Sequence, residues 1–253
     1  MKIKSTNWYK EIWSLDTKNF SWVEETEAQV NFIIKELKLT GEEKILDLGC
    51  GFGRHSLALA QRGFDVTGVD ITPAFITDAI ESAEKLGLNT SFICSDIRDI
   101  KFENEFDVVL NMADGAIGYL ENDCENMKMK IFDAISAALK PGGKSFIDIC
   151  SAEYAIKHFP QKTWEAGQKA LSLAEFDWDD ENRRMLYGSY EYHYGETATF
   201  PQYEAVSMRL YTKEEMKNIF SQRNIEIIST YSDFHGKSDS DDDRQLMIYS
   251  VKL

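Results

Sequence analysis

The sequence contains few cysteines, and none of them form a pattern. Cys50, Cys94, Cys124 and Cys150 lie far apart without a C-x-x-C pair, so no disulfide framework and no metal site is predicted. Three of them are expected to be buried free thiols at strand ends or in a loop beside them. This usage favours a reducing, cytoplasmic compartment.

Long apolar runs and an excess of positive charge are also missing. No stretch reaches 18 consecutive apolar residues, and MKIKSTNWYKEIWSLD lacks the apolar core of a signal peptide. We therefore expect no membrane partner and no export. With 28 Lys and Arg against 43 Asp and Glu, the net charge is −15, and no local basic patch interrupts it. Such a field repels phosphate backbones, so no nucleic-acid partner is expected.

The chain itself is long enough for one large α/β domain over residues 1–253, with room for a small insertion. Residues 1–40 are predicted to form a helical segment, with Val30, Ile33, Ile34 and Leu37 on one face and a stop at Gly41. Strand-like runs then alternate with helical patterns. The strands are predicted at 44–48, 65–69, 90–94, 106–111 and 144–150, and the helices at 54–62, 73–86 and 125–139. This alternation predicts a doubly wound parallel sheet.

The pattern changes after residue 150. Residues 160–210 are predicted to be an insertion that covers the active site, with three antiparallel strands between 171 and 210. A capping box at Thr212 and Glu215 predicts a helix to about residue 223. Strands at 225–231 and 245–253 then form an antiparallel hairpin. The predicted fold is a Rossmann-like α/β sheet of seven strands whose last strand is antiparallel.

A glycine loop, LDLGCGFG, follows the first predicted strand. Gly49, Gly51 and Gly53 let a ligand approach bare backbone, and the helix starting near Arg54 directs its free N–H groups to the same place. Asp70 ends the second strand, 19 residues after Gly51, where a carboxylate can accept hydrogen bonds from a ribose diol and would repel a 2′-phosphate. These features predict a nucleotide-bearing ligand.

The spacing distinguishes between nucleotide ligands. A dinucleotide fingerprint, G-x-G-x-x-G, would need glycine at position 54, where this chain has Arg54. The sequence LDLGCGFG instead resembles the first motif of the class I S-adenosylmethionine-dependent methyltransferases. LKPGGKSFIDI (139–149) resembles the glycine turn before strand five of that superfamily, and CSDIRDI (94–100) resembles its acidic turn after strand three. The resemblance covers residues 42–150 well and 211–253 more loosely.

This resemblance implies S-adenosylmethionine as cofactor, with S-adenosylhomocysteine as product, and a set of contacts to it. The methionine part would lie against Asp47, Gly49 and Gly51, the ribose against Asp70, the adenine against Ile71, Asp96 and Ile97, and the sulfonium above Asn111 and Met112. Alternatives remain open for three residues. Asp47 could serve only the helix dipole, Asp96 could only form a turn, and Arg54 could bind the cofactor's carboxylate or make an ion pair within the fold.

The catalytic residues are less strongly indicated, because an activated methyl group needs mainly alignment and exclusion of water. Asp114 and Tyr119 follow the fourth strand, close to the expected methyl position. His193 and His158 are possible general bases or ordinary surface residues. Tyr190, Tyr192 and Tyr194 alternate onto one face of the insertion, where they could cover the site or simply pack the small sheet. The aromatic residues of the N-terminal segment could fold over the cofactor or pack in the core: Trp8, Tyr9 and Trp13.

The acceptor is predicted to be a small molecule methylated on N or O. Asn111 is not followed by the two prolines of (D/N)-P-P-(Y/F), which disfavours a flipped base. Two alternatives stay open: a methyltransferase acting on a protein or tRNA, and a nucleotide-binding or NAD-dependent protein of the same fold.

Overall fold

The structure, a computed structural model, describes residues 8–114, 116–119, 129–197 and 205–253. The described residues form eleven strands: β1 (Lys44–Leu48), β2 (Asp65–Asp70), β3 (Thr90–Cys94), β4 (Phe106–Asn111), β5 (Leu139–Cys150), β6 (Gln161–Ala166), β7 (Ala170–Asp179), β8 (Arg184–His193), β9 (Val206–Arg209), β10 (Ile225–Tyr231) and β11 (Gln245–Lys252). The described helices are α1 (Thr26–Glu36), α2 (Arg54–Ala60), α3 (Pro73–Leu86), α4 (Lys130–Ala138), α5 (Ala152–His158) and α6 (Lys213–Ser221).

Seven strands form the main sheet, in the order β10-β11-β5-β4-β1-β2-β3. β1 pairs in parallel with both β2 and β4, so the strand order reverses beside β1 and opens a crevice at the carboxyl ends of these strands. β11 is antiparallel to β5 and to β10. The predicted Rossmann-like sheet with an antiparallel last strand is confirmed.

Helices cover both faces of this sheet and bury its apolar strands. On one face, α4 and α6 contribute Phe132, Ile135 and Phe220 to the core. On the other face, α1 and α2 contribute Ile33 and Leu59. Strands covered on both sides need continuous apolar runs, which β1 and β4 supply. No helix of the described chain is both long and apolar enough to cross a bilayer.

The N-terminal region differs from its prediction. Three short 3-10 turns, Trp8–Lys10, Leu15–Asn19 and Ser21–Val23, precede α1. α1 ends at Glu36, and the chain leaves it through Lys38, whose φ is 51°. The predicted stop at Gly41 is therefore wrong, because Lys38 takes the left-handed conformation that commonly ends helices.

A second sheet, here called the inserted sheet, has the order β6-β7-β8-β9 and is antiparallel throughout. The sequence predicted only three of its strands. β6 was missed because its residues, QKTWEA, lack apolar alternation, and Trp164 is 71% exposed. The sheet packs on the main domain through Phe176, Met185 and Met208.

Three cysteines fall within the described residues, and they are free thiols. Cys50 and Cys150 are buried, as predicted. Cys94 is exposed, because β3 is the edge strand of the main sheet. Cys124 lies outside the described residues.

Candidate active site

The glycine loop is held in shape by one carboxylate. The Gly51 N–H donates to Asp70 Oδ2 at 2.9 Å, and the Thr72 N–H donates to Oδ1 at 2.8 Å. Gly51 has φ 56°, a conformation that side chains other than glycine rarely take. The end of β2 and the loop after β1 are therefore locked together by Asp70, at the crevice where the strand order reverses.

Beside this loop lies a cleft, here called the glycine cleft, with a volume of about 120 Å³. The structure brings eight of the residues predicted to bind cofactor to its wall: Gly49, Gly51, Arg54, Asp70, Ile71, Asp96, Ile97 and Met112. They come from the carboxyl ends of β1, β2, β3 and β4 and from the start of α2. Because the strands are parallel, their carboxyl ends lie at the same edge of the sheet. Residues far apart in sequence therefore form one continuous wall.

Asp47 and Asn111 are placed differently from their prediction, because neither side chain lines the glycine cleft. Asp47 is buried and accepts from the Ser56 hydroxyl at 2.6 Å. Burial raises its pKa to about 6. The amide of Asn111 is also buried and donates to the Leu48 carbonyl at 2.8 Å. Both side chains instead bond residues on either side of the loop, Ser56 of α2 and Leu48 at the end of β1.

Asp96 and Arg54 line the cleft and also have structural partners. Asp96 caps the 3-10 turn Ile97–Asp99, accepting from the Arg98 N–H at 2.9 Å, and forms an ion pair with the Arg98 guanidinium at 2.6 Å. The Arg54 guanidinium donates to Thr26 at 2.8 Å and to Gln29 at 2.6 Å. Burial lowers the pKa of Arg54 to about 10. Arg54 thus joins α2 to α1 through neutral side chains.

The N-terminal segment, residues 8–25, closes one side of the cleft. Tyr9, Trp13, Thr17 and Trp22 belong to its wall. The first two were suggested by the sequence as aromatic residues that could fold over the cofactor. Thr17 and Trp22 were missed, because short 3-10 turns leave no periodicity that would assign a side chain to one face.

Three further wall residues were also missed by the sequence: His55, Thr72 and Phe75. His55 is buried, and its Nε2 lies 2.8 Å from Gln29 Oε1. Burial holds its pKa well below the usual range, so the imidazole is neutral. His55 is the second residue of α2. Nothing in the sequence around it indicates that its side chain lines the cleft.

A larger cavity, here called the second cavity, adjoins the glycine cleft and has a volume of about 1100 Å³. Six residues line both spaces: Trp13, Thr17, Trp22, Arg54, Ala113 and Tyr119. The two spaces therefore share a boundary, and a ligand in one can meet a ligand in the other.

Two carboxylates line the second cavity, the buried Asp148 and the half-buried Asp114. Asp148, on β5, accepts from the Ala113 N–H at 3.2 Å and from the Gln245 side chain. Burial raises its pKa to about 7, and the neighbouring Asp114 carboxylate acts in the same direction. Asp114 accepts from the Cys150 N–H at 2.7 Å, and burial raises its pKa too. Asp148 was not singled out by the sequence, although it lies within LKPGGKSFIDI.

Tyr119 stands at the boundary between the two spaces. Its ring packs edge-on against Trp8, with the ring centroids 4.7 Å apart. Burial holds the pKa of its phenol well above the usual range, so the hydroxyl stays protonated. Asp114 and Tyr119 are thus the two predicted catalytic residues that the structure brings to the site.

His193 and His158 are placed away from both spaces. His193 pairs with Ala170 near the end of β8 and does not belong to either wall. His158 stacks on Tyr154 at 4.4 Å, and its Nε2 lies 3.0 Å from an oxygen of Asp242. Neither histidine is therefore among the wall residues, which favours the alternative of ordinary surface residues, and a role as general base stays a prediction.

The roof of the second cavity is one face of the inserted sheet, but not the face with the tyrosine row. Tyr187, Ser189 and Glu191 of β8 line the cavity. Tyr192 and Tyr194 instead bond the carbonyls of Glu196 at 2.7 Å and Gly167 at 3.1 Å. The alternation of side chains between two faces was predicted correctly. Tyr192 and Tyr194 bond within the inserted region, which agrees with the alternative that these tyrosines pack the small sheet.

Comparisons with known proteins place the chain in a family. A model described as "Methyltransferase domain" matches residues 39–225. YqeM of Bacillus subtilis, which is named as a methyltransferase, is 30% identical over 141 residues, covering 54% of each chain. The ubiquinone biosynthesis O-methyltransferase of Coxiella burnetii is 32% identical over 154 residues, covering 56% of this chain and 62% of that protein. The chain therefore spans little more than half the length of these relatives.

Solved structures share the fold over most of the chain. An S-adenosylmethionine-dependent methyltransferase from Clostridium acetobutylicum has a TM-score of 0.73 at 19% identity, covering 89% of this chain and 91% of that one. CalS10, an amino pentose methyltransferase from Micromonospora echinaspora, has a TM-score of 0.60 at 18% identity, covering 93% of both chains. The chain belongs to the methyltransferase-domain family and has the class I fold. This confirms the predicted family and its cofactor, S-adenosylmethionine.

Proposed function

We propose that the protein transfers a methyl group from S-adenosylmethionine to nitrogen or oxygen of a small molecule. One observation carries this proposal. A cleft built from the glycine loop and Asp70 shares six wall residues with a cavity of about 1100 Å³. A donor site and an acceptor site with a common boundary are what methyl transfer requires.

The residues of the glycine cleft fit an adenosyl ligand. Asp70 uses one lone pair of each oxygen on a backbone N–H, and a carboxylate has about four such sites. Two therefore remain for the hydroxyls of a ribose. Ile71 and Ile97 add apolar surface beside Asp70 and Asp96, which suits the faces of an adenine.

The contribution of the protein is to align the acceptor and keep water away. When bound, S-adenosylmethionine supplies a methyl group on a sulfonium, which a nucleophile displaces in line. Tyr119 and Ala113 stand at the boundary where the acceptor atom must lie, and Trp13 with Trp22 screens it from solvent. Asp148 accepts from the N–H of Ala113, and Asp114 follows Ala113 in the chain, so both carboxylates are joined to that boundary.

The roof over the second cavity supports a small acceptor over a protein or tRNA. A macromolecule needs an open groove, and a tRNA also needs basic residues along it. Here β7 and β8 cover the cavity, and its described wall contains more acids than bases. CalS10, which shares this fold, is an amino pentose methyltransferase, so a protein with this fold can act on a small molecule.

Calorimetric titration with S-adenosylmethionine, S-adenosylhomocysteine and NAD tests the proposal. We expect both sulfur compounds to bind and NAD to bind at least a hundredfold more weakly. Glu226→Gln, an exposed change on β10, is the matched control and should bind like the unchanged protein. Binding of NAD alone would contradict the proposal, as would methylation of tRNA or protein by a chain that leaves small molecules unmodified.

A further inference from the structure

The wall of the second cavity has a marked charge imbalance. Its acidic residues are Glu25, Asp114, Asp148, Glu165, Glu191 and Asp233. Its basic residues are Arg54, Arg244 and His235. A ligand with a positive charge is attracted by such a wall, and a ligand carrying phosphate is repelled.

The two arginines make their direct contacts with residues other than these acids, although the charge of Arg54 acts to lower the pKa of Asp148 and that of Arg244 acts to lower the pKa of Asp114. Arg54 donates to Thr26 and Gln29, and its guanidinium lies 5.4 Å from the Trp22 ring centre. Arg244 lies over the Phe176 ring at 5.3 Å. Among the described residues, no Lys or Arg nitrogen lies within 4.0 Å of an oxygen of the six acids. No Lys or Arg among the described residues therefore forms a direct ion pair with these acids.

Glu191 shows where a donor is missing. Its Oε2 atom is buried and has no hydrogen-bond partner among the described residues, and the residue lines the second cavity. Leaving a buried acceptor unsatisfied is costly, so the Glu191 side chain gains if it turns this oxygen toward a ligand donor in the cavity. Three hydroxyl groups line the same roof. Those of Ser172 and Ser189 already bond Glu191 and Tyr187, and they and Thr163 can also bond a polar ligand.

Aromatic rings complete the surroundings. They come from the N-terminal segment, the inserted sheet and the loops after β4 and β10: Trp8, Trp13, Phe20, Trp22, Tyr119, Phe176, Tyr187 and Phe234. Rings of this kind attract a cation through their faces and exclude water. Acids and rings together are the surroundings in which proteins hold an ammonium group.

We infer that the acceptor is a primary or secondary amine on a hydroxylated small molecule without phosphate. This inference rests on the proposed function. Its nitrogen faces Asp148 at the boundary with the glycine cleft, and its hydroxyl groups face Glu191 and the roof. The Ala113 N–H donates to Asp148, and Ala113 lines both spaces. Asp148 is thus the cavity acid joined by a direct bond to the shared boundary.

The transfer step conserves protons and electrons. The bound ammonium gives one proton to the Asp148 carboxylate and becomes a neutral amine. The nitrogen lone pair forms the new N–C bond while the S–C bond breaks, and the electron pair of that bond stays on sulfur. The product leaves as a methylated ammonium ion, and Asp148 releases its proton to water.

A matched panel tests this inference. Amino sugars and aminocyclitols are compared with their hydroxyl counterparts, starting with D-glucosamine and D-glucose, and UDP-glucosamine tests the effect of phosphate. Binding to protein saturated with S-adenosylhomocysteine is measured by calorimetry, and methylated products by mass spectrometry. We expect the best amine to bind at least tenfold more tightly than its hydroxyl counterpart and to receive the methyl group on nitrogen.

Two substitutions connect the preference to the residues. Glu191→Gln should weaken binding of the amine and of its hydroxyl counterpart alike, about tenfold, and leave S-adenosylhomocysteine affinity within twofold. Asp148→Asn should lower turnover of the amine at least tenfold, again with unchanged S-adenosylhomocysteine affinity. Glu226→Gln removes the same charge far from the cavity and should change neither amine binding nor turnover.

The outcomes separate this inference from the proposed function. Protein that binds S-adenosylhomocysteine but prefers hydroxyl compounds, or methylates no amine of the panel, overturns the amine inference alone. Tighter binding of UDP-glucosamine than of glucosamine overturns the exclusion of phosphate. Failure to bind either sulfur compound overturns the proposed function instead.

Discussion

At the scale of single residues, Asp70 combines a structural and a binding task. Its two oxygens fix the backbone of Gly51 and Thr72, and the residue lines the glycine cleft. Removing the carboxylate therefore removes a ligand contact and loosens the loop at the same time.

Asp70→Ala should weaken S-adenosylhomocysteine binding by about 1–3 kcal/mol, the range for a lost charge-assisted acceptor. Asp70→Asn keeps one oxygen and should lose less. Calorimetry measures both, with the exposed Asp65→Ala at the other end of β2 as control. Equal affinity in Asp70→Ala and the unchanged protein would remove Asp70 from the ribose site.

The raised pKa of Asp148 predicts that the stability of the fold depends on pH. Its pKa is raised from 3.8 to about 7 by burial, so between about pH 4 and 7 the folded protein binds more protons than the unfolded chain, and this residue destabilises the fold as pH rises. Arg54 opposes the shift, while the Asp114 charge adds to it. Asp148→Asn removes this contribution, since Gln245 can turn its amide and keep the bond.

The melting temperature of Asp148→Asn should therefore gain several degrees on the unchanged protein as pH rises from 4 to 7, with no further gain above about 8. Thermal unfolding followed by circular dichroism measures this difference. A constant offset over the whole range would show that Asp148 titrates in the folded protein as it does in the unfolded chain.

The sequence could identify cleft residues where a motif fixes both type and position, as for Gly51 and Asp70. It could not separate Asp47 from them, because the strand pattern does not reveal that this side chain turns toward Ser56. The places of Asp148 and Glu191 in the cavity wall could not be predicted for a different reason. Their acidic, enclosed surroundings are formed by residues from other strands and from the other sheet.

At the scale of elements, the loop after β4 depends on one glycine. Gly118 has φ 84°, and a Cβ there would lie 2.2 Å from the Arg209 carbonyl oxygen of β9. The Arg209 N–H also donates to the Gly118 carbonyl at 3.1 Å. The loop that carries Tyr119 is thereby fastened to the inserted sheet by its backbone.

Gly118→Ala should lower the free energy of unfolding by about 2–4 kcal/mol, since both strain and collision oppose it. Urea unfolding measures the loss. Gly87→Ala is a matched control, because Gly87 has φ 66° but no atom within 4 Å of the added Cβ, and strain alone should cost about 1 kcal/mol. Similar losses in both variants would mean that the contact with Arg209 is unimportant.

Element prediction succeeded where a local signal decides and failed where packing decides. The capping box was predicted from Thr212 and Glu215, and both of its bonds are present, at 3.1 and 2.8 Å. The tyrosines of β8 show what the sequence could not predict. Alternation along a strand assigns residues to two faces, but only the packing of the inserted sheet on the main domain determines which face covers the cavity.

At the scale of the whole molecule, the N-terminal segment connects the two sheets. The Trp8 indole donates to the Ser207 carbonyl at 3.2 Å, and Glu24 accepts from the Gln168 N–H at 2.9 Å. Lys18 forms an ion pair with Asp78 of α3. The segment touches the inserted sheet on one side and the main domain on the other, and its side chains line both spaces.

Binding of S-adenosylhomocysteine should therefore slow amide exchange in residues 8–25, because the ligand adds contacts to a segment held by few buried groups. Hydrogen–deuterium exchange with mass spectrometry measures the change, and we expect at least a fivefold slowing. The edge strand β10 is the internal control and should keep its rate. Unaltered exchange in residues 8–25 of a protein that binds the ligand would show that this segment does not respond to it.

The position of β11 has a consequence for synthesis on the ribosome. β11 lies between β5 and β10, and its Gln245 and Met247 complete a cavity that also needs Trp8 and Trp13. A growing chain can form the glycine loop early, but it cannot enclose an acceptor until its late-made hairpin has emerged and inserted beside β5. The second cavity is therefore completed only after residue 247 has been made, and a nascent chain that ends before β11 lacks one side of its acceptor space.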